Sequence, residues 1–212
     1  MRRLWLIMLL GALLAAGGGV GVYLKYHHTD RFFNGKDLDG WEGRGEYWSV
    51  RDGDLVGASP EGAKFSTFLC SKKTYKDFEL RFQVKLKGKG WTGNSGVNIR
   101  SKVADRNKFS IAGPQCDMGQ YYWGSLYAEP SDGMMAEADQ NLVKQVLKPN
   151  DFNDYYVRCV GKHVTIKLNG KTTIDDDFAK MPDEGIIALQ LHAGPPMVVI
   201  FRNIEFTDLT AK

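Results

Sequence analysis

Residues 78–86 alternate between apolar and polar side chains without interruption. Successive side chains of a strand point to opposite sides of a sheet, so five apolar residues share one face and four polar residues share the other. Alternation of this length is typical of an antiparallel strand with one face in a core and the other in solvent. The chain must therefore pack at least one sheet against a second layer.

Turn residues divide the chain from residue 32 onward into short runs. Asp52-Gly53 and Asn169-Gly170 lie between apolar runs and predict two-residue hairpins. Helical periodicity is almost absent, apart from a short helix predicted near residues 136–146 within a polar excursion that is typical of a lid or binding loop. This pattern predicts an all-β fold, a β-sandwich or jelly roll. The other strands are predicted over residues 47–50, 54–58, 64–70, 94–100, 154–160, 163–168, 171–174, 185–192 and 198–206.

The N-terminal segment predicts where the protein acts. Arg2 and Arg3 precede an uncharged run over residues 4–24, about long enough to cross a bilayer as a helix. We expect residues 1–28 to be a signal anchor or a signal peptide, with the anchor favoured because the run is long for a cleaved signal. Residues 29–212 are expected to form one exported domain, held at the membrane facing the periplasm or outside, or secreted if the signal is cleaved.

Charge and cysteine content exclude several classes of protein. The N-terminal segment holds three of the 28 basic residues and none of the 25 acidic ones, so the exported part is neutral and predicts no nucleic-acid partner. Cys70, Cys116 and Cys159 are too few for a disulfide framework, although one pair could form after export. No zinc-type spacing is present and no cofactor is predicted, while a divalent metal and the oligomeric state stay open.

Three predicted strands each carry two polar side chains, two residues apart, opposite core residues. If these strands are neighbours, the pairs form one polar patch on the outer face of a sheet. The pairs are Asn98 with Arg100, Gln115 with Asp117, and Gln190 with His192.

Residues 111–129 combine such a pair with aromatic and acidic side chains. Trp123, Tyr127 and Glu129 follow Gln115 and Asp117 closely. Flat aromatic faces beside amides and carboxylates suit a sugar, whose C–H faces stack and whose hydroxyls need both donors and acceptors. If these residues form a strand, alternation makes Cys116 face the core, opposite Gln115 and Asp117. The simpler alternative is a polar loop whose aromatics fill the edge of a core.

Six segments, in order, resemble the 3-keto-disaccharide hydrolase domain family. The similarity spans residues 32–209 and implies a concanavalin-like jelly roll that cleaves glycosides whose sugar is oxidised at C3. Members of this family are typically exported bacterial proteins. The segments are F-N-G-K-D-L-D-G-W (33–41), N-S-G-V-N-I-R (94–100), G-P-Q-C-D-M-G (113–119), G-S-L-Y (124–127), L-Q-L-H (189–192) and F-R-N-I (201–204).

The resemblance also implies a reaction. Retaining glucanases on a similar fold use two carboxylates in an E-x-D-x-x-E strand, whereas this chain has the amides Gln115 and Gln120 at the outer positions. A 3-keto sugar does not need two carboxylates, because its ketone acidifies the C2 hydrogen. One base can remove that proton, the C1 oxygen then leaves by β-elimination, and water adds back.

This route needs a base, donors for the enolate oxygen and an acid for the leaving group. Asp117 or His192 is the expected base, the other assisting the leaving group, and Glu129 is a further acid-base candidate. Arg100 and Gln115 are the expected donors to the ketone or enolate oxygen. The expected substrate-binding residues are Asn98, Gln190, Trp123 and Tyr127, with Glu129 beside them.

Two other functions fit the same sequence. A non-catalytic carbohydrate-binding module would use the aromatics and amides without a base, and fold alone does not separate it from an enzyme. A membrane-anchored structural protein would have no pocket at all.

Overall fold

Two antiparallel sheets, each of seven strands in the part of the chain that is described, form a β-sandwich. The computed structural model describes residues 31–88, 93–119, 121–129 and 133–210. The predicted signal anchor or signal peptide and Gln120 lie outside these ranges. No helix within them is long and apolar enough to cross a membrane.

The first sheet contains the strands that carry the predicted site. Its strands are β1 Trp41–Glu42, β4 Thr67–Tyr75, β6 Asn94–Asp105, β7 Ser110–Gly119, β8 Leu126–Glu129, β9 Gly133–Ala136 and β13 Gly185–Leu191. They lie side by side in the order β1-β4-β13-β6-β7-β8-β9.

The second sheet forms the opposite layer. Its strands are β2 Trp48–Arg51, β3 Asp54–Ser59, β5 Phe78–Gly88, β10 Asn153–Val160, β11 His163–Leu168, β12 Lys171–Asp177 and β14 Met197–Asp208. They lie side by side in the order β12-β11-β10-β5-β14-β3-β2. A single helix of the described ranges, α1 Gln140–Val146, connects the two sheets between β9 and β10.

Both predicted hairpins are confirmed. Asp52 and Gly53 have φ values of 51° and 85°, and Asn169 and Gly170 have 47° and 80°. Two successive positive φ values are the geometry of the two-residue turn that matches the twist of its strands, which is why asparagine, aspartate and glycine occupy it. These turns join β2 to β3 and β11 to β12.

The core lies between the inner faces of the two sheets. The apolar residues of β5 from Phe78 to Val84 are buried, in agreement with the predicted alternation. Cys116 of β7 is fully buried on the other side of the core, as expected. The hydroxyl of Tyr155 on β10 donates to the carbonyl of Asp117 on β7 at 3.0 Å, so the core connects directly to the strand that carries the site.

Several element boundaries differ from the prediction. The strand expected over residues 64–70 begins instead at Thr67, after a bend at residues 64–65, and continues to Tyr75. The helix begins at Gln140, where the Asp139 side chain accepts a hydrogen bond from the backbone N–H of Asn141. An N-terminal cap of this kind defines where a helix can start.

Candidate functional site

The three strands with polar pairs are neighbours, as the patch hypothesis required. β6 pairs with β13 on one side and with β7 on the other. Asn98 is opposite Gln115, and Gln115 is opposite Tyr127 of β8. Because directly opposite residues share a face, these side chains lie on the outer face of the first sheet.

An open cleft of about 680 Å³ lies on this surface. Its volume is within the range of sites that bind small molecules. The presence of a cleft counts against the purely structural protein considered above. Its lining contains three carboxyl groups and a histidine, and no lysine or arginine among the described residues: Ser66, Asn94, Gln115, Asp117, Tyr122, Tyr127, Glu129, Met134, Glu137, Gln190 and His192.

A chain of hydrogen bonds joins two carboxyl groups through two amides. Gln115 Nε2 donates to Asp117 Oδ1 at 2.7 Å and to Gln190 Oε1 at 3.4 Å. Gln190 Nε2 donates to Glu129 Oε1 at 3.2 Å. The amides thus hold the carboxyl groups of Asp117 and Glu129 in fixed places along the cleft.

The environment of Asp117 favours its protonated form. Burial raises the pKa of Asp117 to about 7, the hydrogen bond from Gln115 opposes this rise, and the charge of Glu129 adds to it. Burial also raises the pKa of Glu129, whereas the hydrogen bond from Gln190 and the charge of His192 lower it. A carboxyl group that titrates near neutral pH can accept and release a proton under ordinary conditions.

Gly96 makes room for the amide chain. It lies opposite Asp117 on β6, and a Cβ atom there would be 2.5 Å from the side-chain Cδ of Gln115. Any other residue at position 96 would displace Gln115 from Asp117. The sequence analysis did not assign Gly96 a role, although a glycine inside a predicted strand is a signal of close approach.

His192 follows β13 at the end of the cleft. Its Nδ1 lies 2.6 Å from the carbonyl oxygen of Ala193. A carbonyl only accepts, so Nδ1 donates in this contact. The tautomer of His192 that is protonated at Nδ1 alone offers an acceptor at Nε2.

Asn98 is completely buried and does not line the cleft, so its predicted direct contact with substrate is wrong. Both polar atoms of its side chain, and Oε1 of the opposite Gln115, have no hydrogen-bond partner among the described residues. Strand alternation predicts the face on which a side chain lies but not its depth, and a side chain on a central strand lies deeper than one at the edge of the sheet. Three unmatched polar atoms thus lie at or beneath the floor of the cleft.

Arg100 does not belong to the cleft, and its prediction as a donor to the enolate oxygen is wrong. Its φ is 44°, and the register of β6 against β7 shifts between Asn98 and Lys102, so the regular alternation ends before Arg100. The buried guanidinium pairs with Asp77 at 2.8 Å. Its remaining bonds go to the carbonyls of Lys76, Cys159, Gly161 and Pro182.

Trp123 is also misassigned as a stacking residue. It is buried and lines a separate small cavity beside Leu86 and Pro149. The neighbouring Tyr122 lines the cleft instead and is 43% exposed. The two residues lie in a turn, where Tyr122 N–H donates to the carbonyl of Gly119, so strand alternation gave no guide to their directions.

The cleft includes residues that the sequence analysis did not name. Ser66 and Asn94 contribute polar groups, and Met134 and Glu137 come from the excursion that was predicted to be a lid or binding loop. No group of three or more histidine, cysteine, aspartate or glutamate side chains in the described ranges has the geometry of a metal site. Cys70, Cys116 and Cys159 are all free and buried.

Comparisons with known proteins point to carbohydrate chemistry. The family model of the 3-keto-alpha-glucoside-1,2-lyase-like domain matches residues 29–207. No curated protein is significantly similar to the chain.

Similar solved structures share the fold. A candidate glycosyl hydrolase from Parabacteroides distasonis is 24% identical, with 82% of this chain and 96% of that chain covered at a TM-score of 0.63. A second candidate glycosyl hydrolase from the same organism is 22% identical, with 87% of this chain and 95% of that chain covered, also at a TM-score of 0.63. The carbohydrate-binding module CBM66 from Bacillus subtilis is 17% identical, with 79% of this chain and 94% of that chain covered at a TM-score of 0.59. At these identities the likeness shows the fold alone.

Proposed function

The chain belongs to the 3-keto-alpha-glucoside-1,2-lyase-like family, and on this premise we propose that it cleaves glycosides whose sugar carries a ketone at C3. The observation that carries the proposal is Asp117, a carboxyl group buried in the cleft with a pKa raised to about 7. A general base works best when its pKa lies near the working pH. Burial is the largest cause of the rise in the pKa of Asp117, and it brings this pKa close to neutral pH.

Asp117 is the proposed base for the first step. Its carboxylate takes the proton from C2, the C–H electron pair forms the enolate with the C3 ketone, and the enolate expels the oxygen on C1. The products are the free alcohol and an unsaturated ketone. Water then adds, its hydroxyl to C1 and its hydrogen to C2, and no oxidation state changes over the two steps together.

Glu129 is the proposed acid for the leaving oxygen. Burial raises its pKa, so it keeps its proton at a higher pH than a solvated glutamate does. Two carboxyl groups with different surroundings can take the two opposite roles of one reaction. His192, with its Nε2 lone pair, is proposed to accept a hydrogen bond from a substrate hydroxyl.

Neutral groups are the proposed donors to the enolate oxygen, because Arg100 lies elsewhere and no other described cation lines the cleft. Gln115 already uses both N–H groups, whereas Gln190 has one left after its bond to Glu129. The second N–H of Gln190 and the hydroxyl of Tyr127 are therefore assigned to the oxygen. Donors of this kind stabilise developing negative charge where water is excluded.

The test compares a 3-keto glucoside with its unoxidised parent and follows release of the free alcohol. Only the oxidised compound should be cleaved, and Asp117→Asn should lower the rate by about 10²–10⁴-fold. Asp154→Asn is the matched control, because Asp154 is an exposed carboxylate that bonds to Gln83 on the second sheet. Equal rates for wild type and Asp117→Asn would refute the assigned base.

A carbohydrate-binding module without catalysis is the second candidate. The cleft is open along the face of the sheet and exposes the ring of Tyr122, as a surface for stacking on a sugar would. This function predicts that the protein binds glycans by calorimetry and cleaves neither the oxidised nor the unoxidised glucoside.

A further inference from the structure

A row of side chains crosses the floor of the cleft toward the edge of the sheet. Gln115 is opposite Asn98 on one side and opposite Tyr127 on the other, and Tyr127 is opposite Met134 of the edge strand β9. Opposite residues share a face, so the four side chains follow one line across the strands. Along this line the chemistry changes from buried amides to an aromatic ring and then to a thioether.

The edge of this row is exposed and apolar. Three large apolar side chains in the described ranges are exposed, and two of them, Tyr122 and Met134, line the cleft. The strand β9 has the sequence G-M-M-A and carries no charge, whereas exposed edge strands normally carry charged residues that prevent pairing. Exposed apolar side chains beside a polar site mark a surface that binds something apolar.

The position of Glu129 indicates which part of a substrate contacts this apolar edge. Tyr127 and Glu129 are two residues apart on β8, so both side chains point to the cleft, roughly 7 Å apart along the strand. If Glu129 protonates the leaving oxygen, the group attached to that oxygen lies beside Tyr127 and Met134. Aromatic rings and thioethers both pack favourably against a flat aromatic ring.

We propose that the edge formed by Tyr122, Tyr127 and Met134 binds an aromatic leaving group, so that the preferred substrates are aryl glycosides. This inference rests on the proposed function for the identity of the sugar. The polar half of the cleft binds the oxidised ring, and the apolar half binds the aglycone. Cleavage breaks the bond between C1 and the aryl oxygen, and that oxygen takes the proton of Glu129 and leaves as a phenol.

The experiment uses the full chain and two 3-keto glucosides, one with a phenyl and one with a methyl aglycone. Met134→Ser and Tyr122→Ser should each raise KM for the phenyl compound about tenfold and change KM for the methyl compound less than twofold. Tyr121→Ser is the matched control, because Tyr121 is 70% exposed and does not line the cleft. Equal changes for both substrates in the two cleft variants would overturn the proposal.

Binding of unoxidised phenyl glucoside, measured by calorimetry, separates this inference from the proposed function. Binding that weakens in Met134→Ser but not in Tyr121→Ser supports the aryl site even if no glucoside is cleaved. Cleavage of both 3-keto glucosides with no preference for phenyl, and no binding of phenyl glucoside, would leave the proposed function intact and remove the aryl site.

Discussion

Arg100 and Asp117 lie on the adjacent strands β6 and β7, and both are buried ionisable side chains. The guanidinium of Arg100 has five N–H groups and makes five hydrogen bonds, one of them to the carboxylate of Asp77. Asp117 accepts one side-chain hydrogen bond, from Gln115, and its carboxyl group borders an open cleft. Both side chains are buried, but the hydrogen-bonding groups of Arg100 are all matched by protein partners, whereas the carboxyl group of Asp117 has only one side-chain partner.

This difference in hydrogen bonding separates Arg100, which stabilises the fold, from Asp117, which is available to react. A buried charge whose hydrogen-bonding groups are all matched has nothing left to offer a ligand, so Arg100 contributes to the fold alone. Around Asp117 the neighbouring Asn98 and Gln115 retain unmatched atoms, and the pKa of Asp117 is raised by its burial. Burying such groups is costly, and a carboxyl group with a raised pKa at the border of a cleft is a candidate for a functional role.

Replacing Arg100 should have the largest effect on stability. In Arg100→Ala four carbonyls lose the guanidinium as a donor, and the carboxylate of Asp77 loses its ion pair while it keeps the hydrogen bond from the Gly161 N–H. Breaking a buried ion pair costs about 3–5 kcal/mol. We expect the free energy of unfolding, measured with urea, to fall by about 3 kcal/mol, the lower end of that range, because Asp77 is partly exposed and can be rehydrated. Arg106→Ala, which removes an exposed pair with Glu42, should change it by less than about 1 kcal/mol.

An Arg100→Ala protein with wild-type stability and no activity would contradict this interpretation. That result would show that Arg100 takes part in the reaction and does not act only in stabilising the fold, as we infer here.

Replacing Asp117 should have a smaller and opposite effect on stability. The folded-state pKa of Asp117 is raised to about 7, so its contribution to stability is favourable at low pH and is lost as the pH rises toward 7. The substitution Asp117→Asn removes this loss, while the side-chain carbonyl of the introduced amide still accepts from Gln115. At pH 8 we expect the variant to be more stable than wild type by on the order of 2 kcal/mol.

The advantage of the variant should shrink as the pH is lowered from 7 to 4, which urea unfolding at several pH values would measure. A variant that is less stable than wild type at pH 8 would show that the carboxylate is well solvated or well paired, against the proposed cost of its burial.

The amide of Gln115 should set the pH dependence of activity. If Asp117 acts as a base, kcat/KM of wild type should rise with pH through an apparent pKa of about 7. Gln115→Met removes the hydrogen bond that lowers this pKa, so the rise should move to higher pH, by up to about one unit, the scale of a charged hydrogen bond.

Glu129→Gln provides the opposite test of the same coupling. In the free protein the charge of Glu129 raises the pKa of Asp117, and kcat/KM reports the titration of the free protein, before Glu129 acts as the acid. Removal of that charge should move the rise in kcat/KM to lower pH, whatever it does to the rate at the plateau. Movement of the profile in the same direction in both variants would show that Asp117 is not the titrating group.

Much of the fold was predictable because local chemistry specifies it. The alternation in β5, the Asp-Gly and Asn-Gly turns and the burial of Cys116 depend on residues close together in sequence, and all three are confirmed. One further prediction depended on which strands are neighbours: that the polar side chains of three strands lie together, namely Gln115, Asp117, Gln190 and His192. The pairing of β13 with β6 and of β6 with β7 meets this condition.

The wrong assignments share a physical cause. Alternation predicts direction only while a strand stays regular, and the register shift before Arg100 and the turn at Tyr122 and Trp123 both interrupt it. Neither irregularity has a local signal as strong as an Asn-Gly turn. Depth is a second cause, since the burial of Asn98 depends on how many strands flank it.

The sequence by itself thus determined the class of fold, the strands that carry polar groups and the face shared by Asn98, Gln115 and Gln190. These follow from the two-residue period of a strand and from the φ preferences of its turns. The tertiary structure alone decided that Arg100 is matched by distant carbonyls, that Asp117 is buried beside Glu129, and that Tyr122 and Met134 complete the cleft. Burial, pairing and pKa depend on groups far apart in the chain, and only the packed sheets bring those groups together.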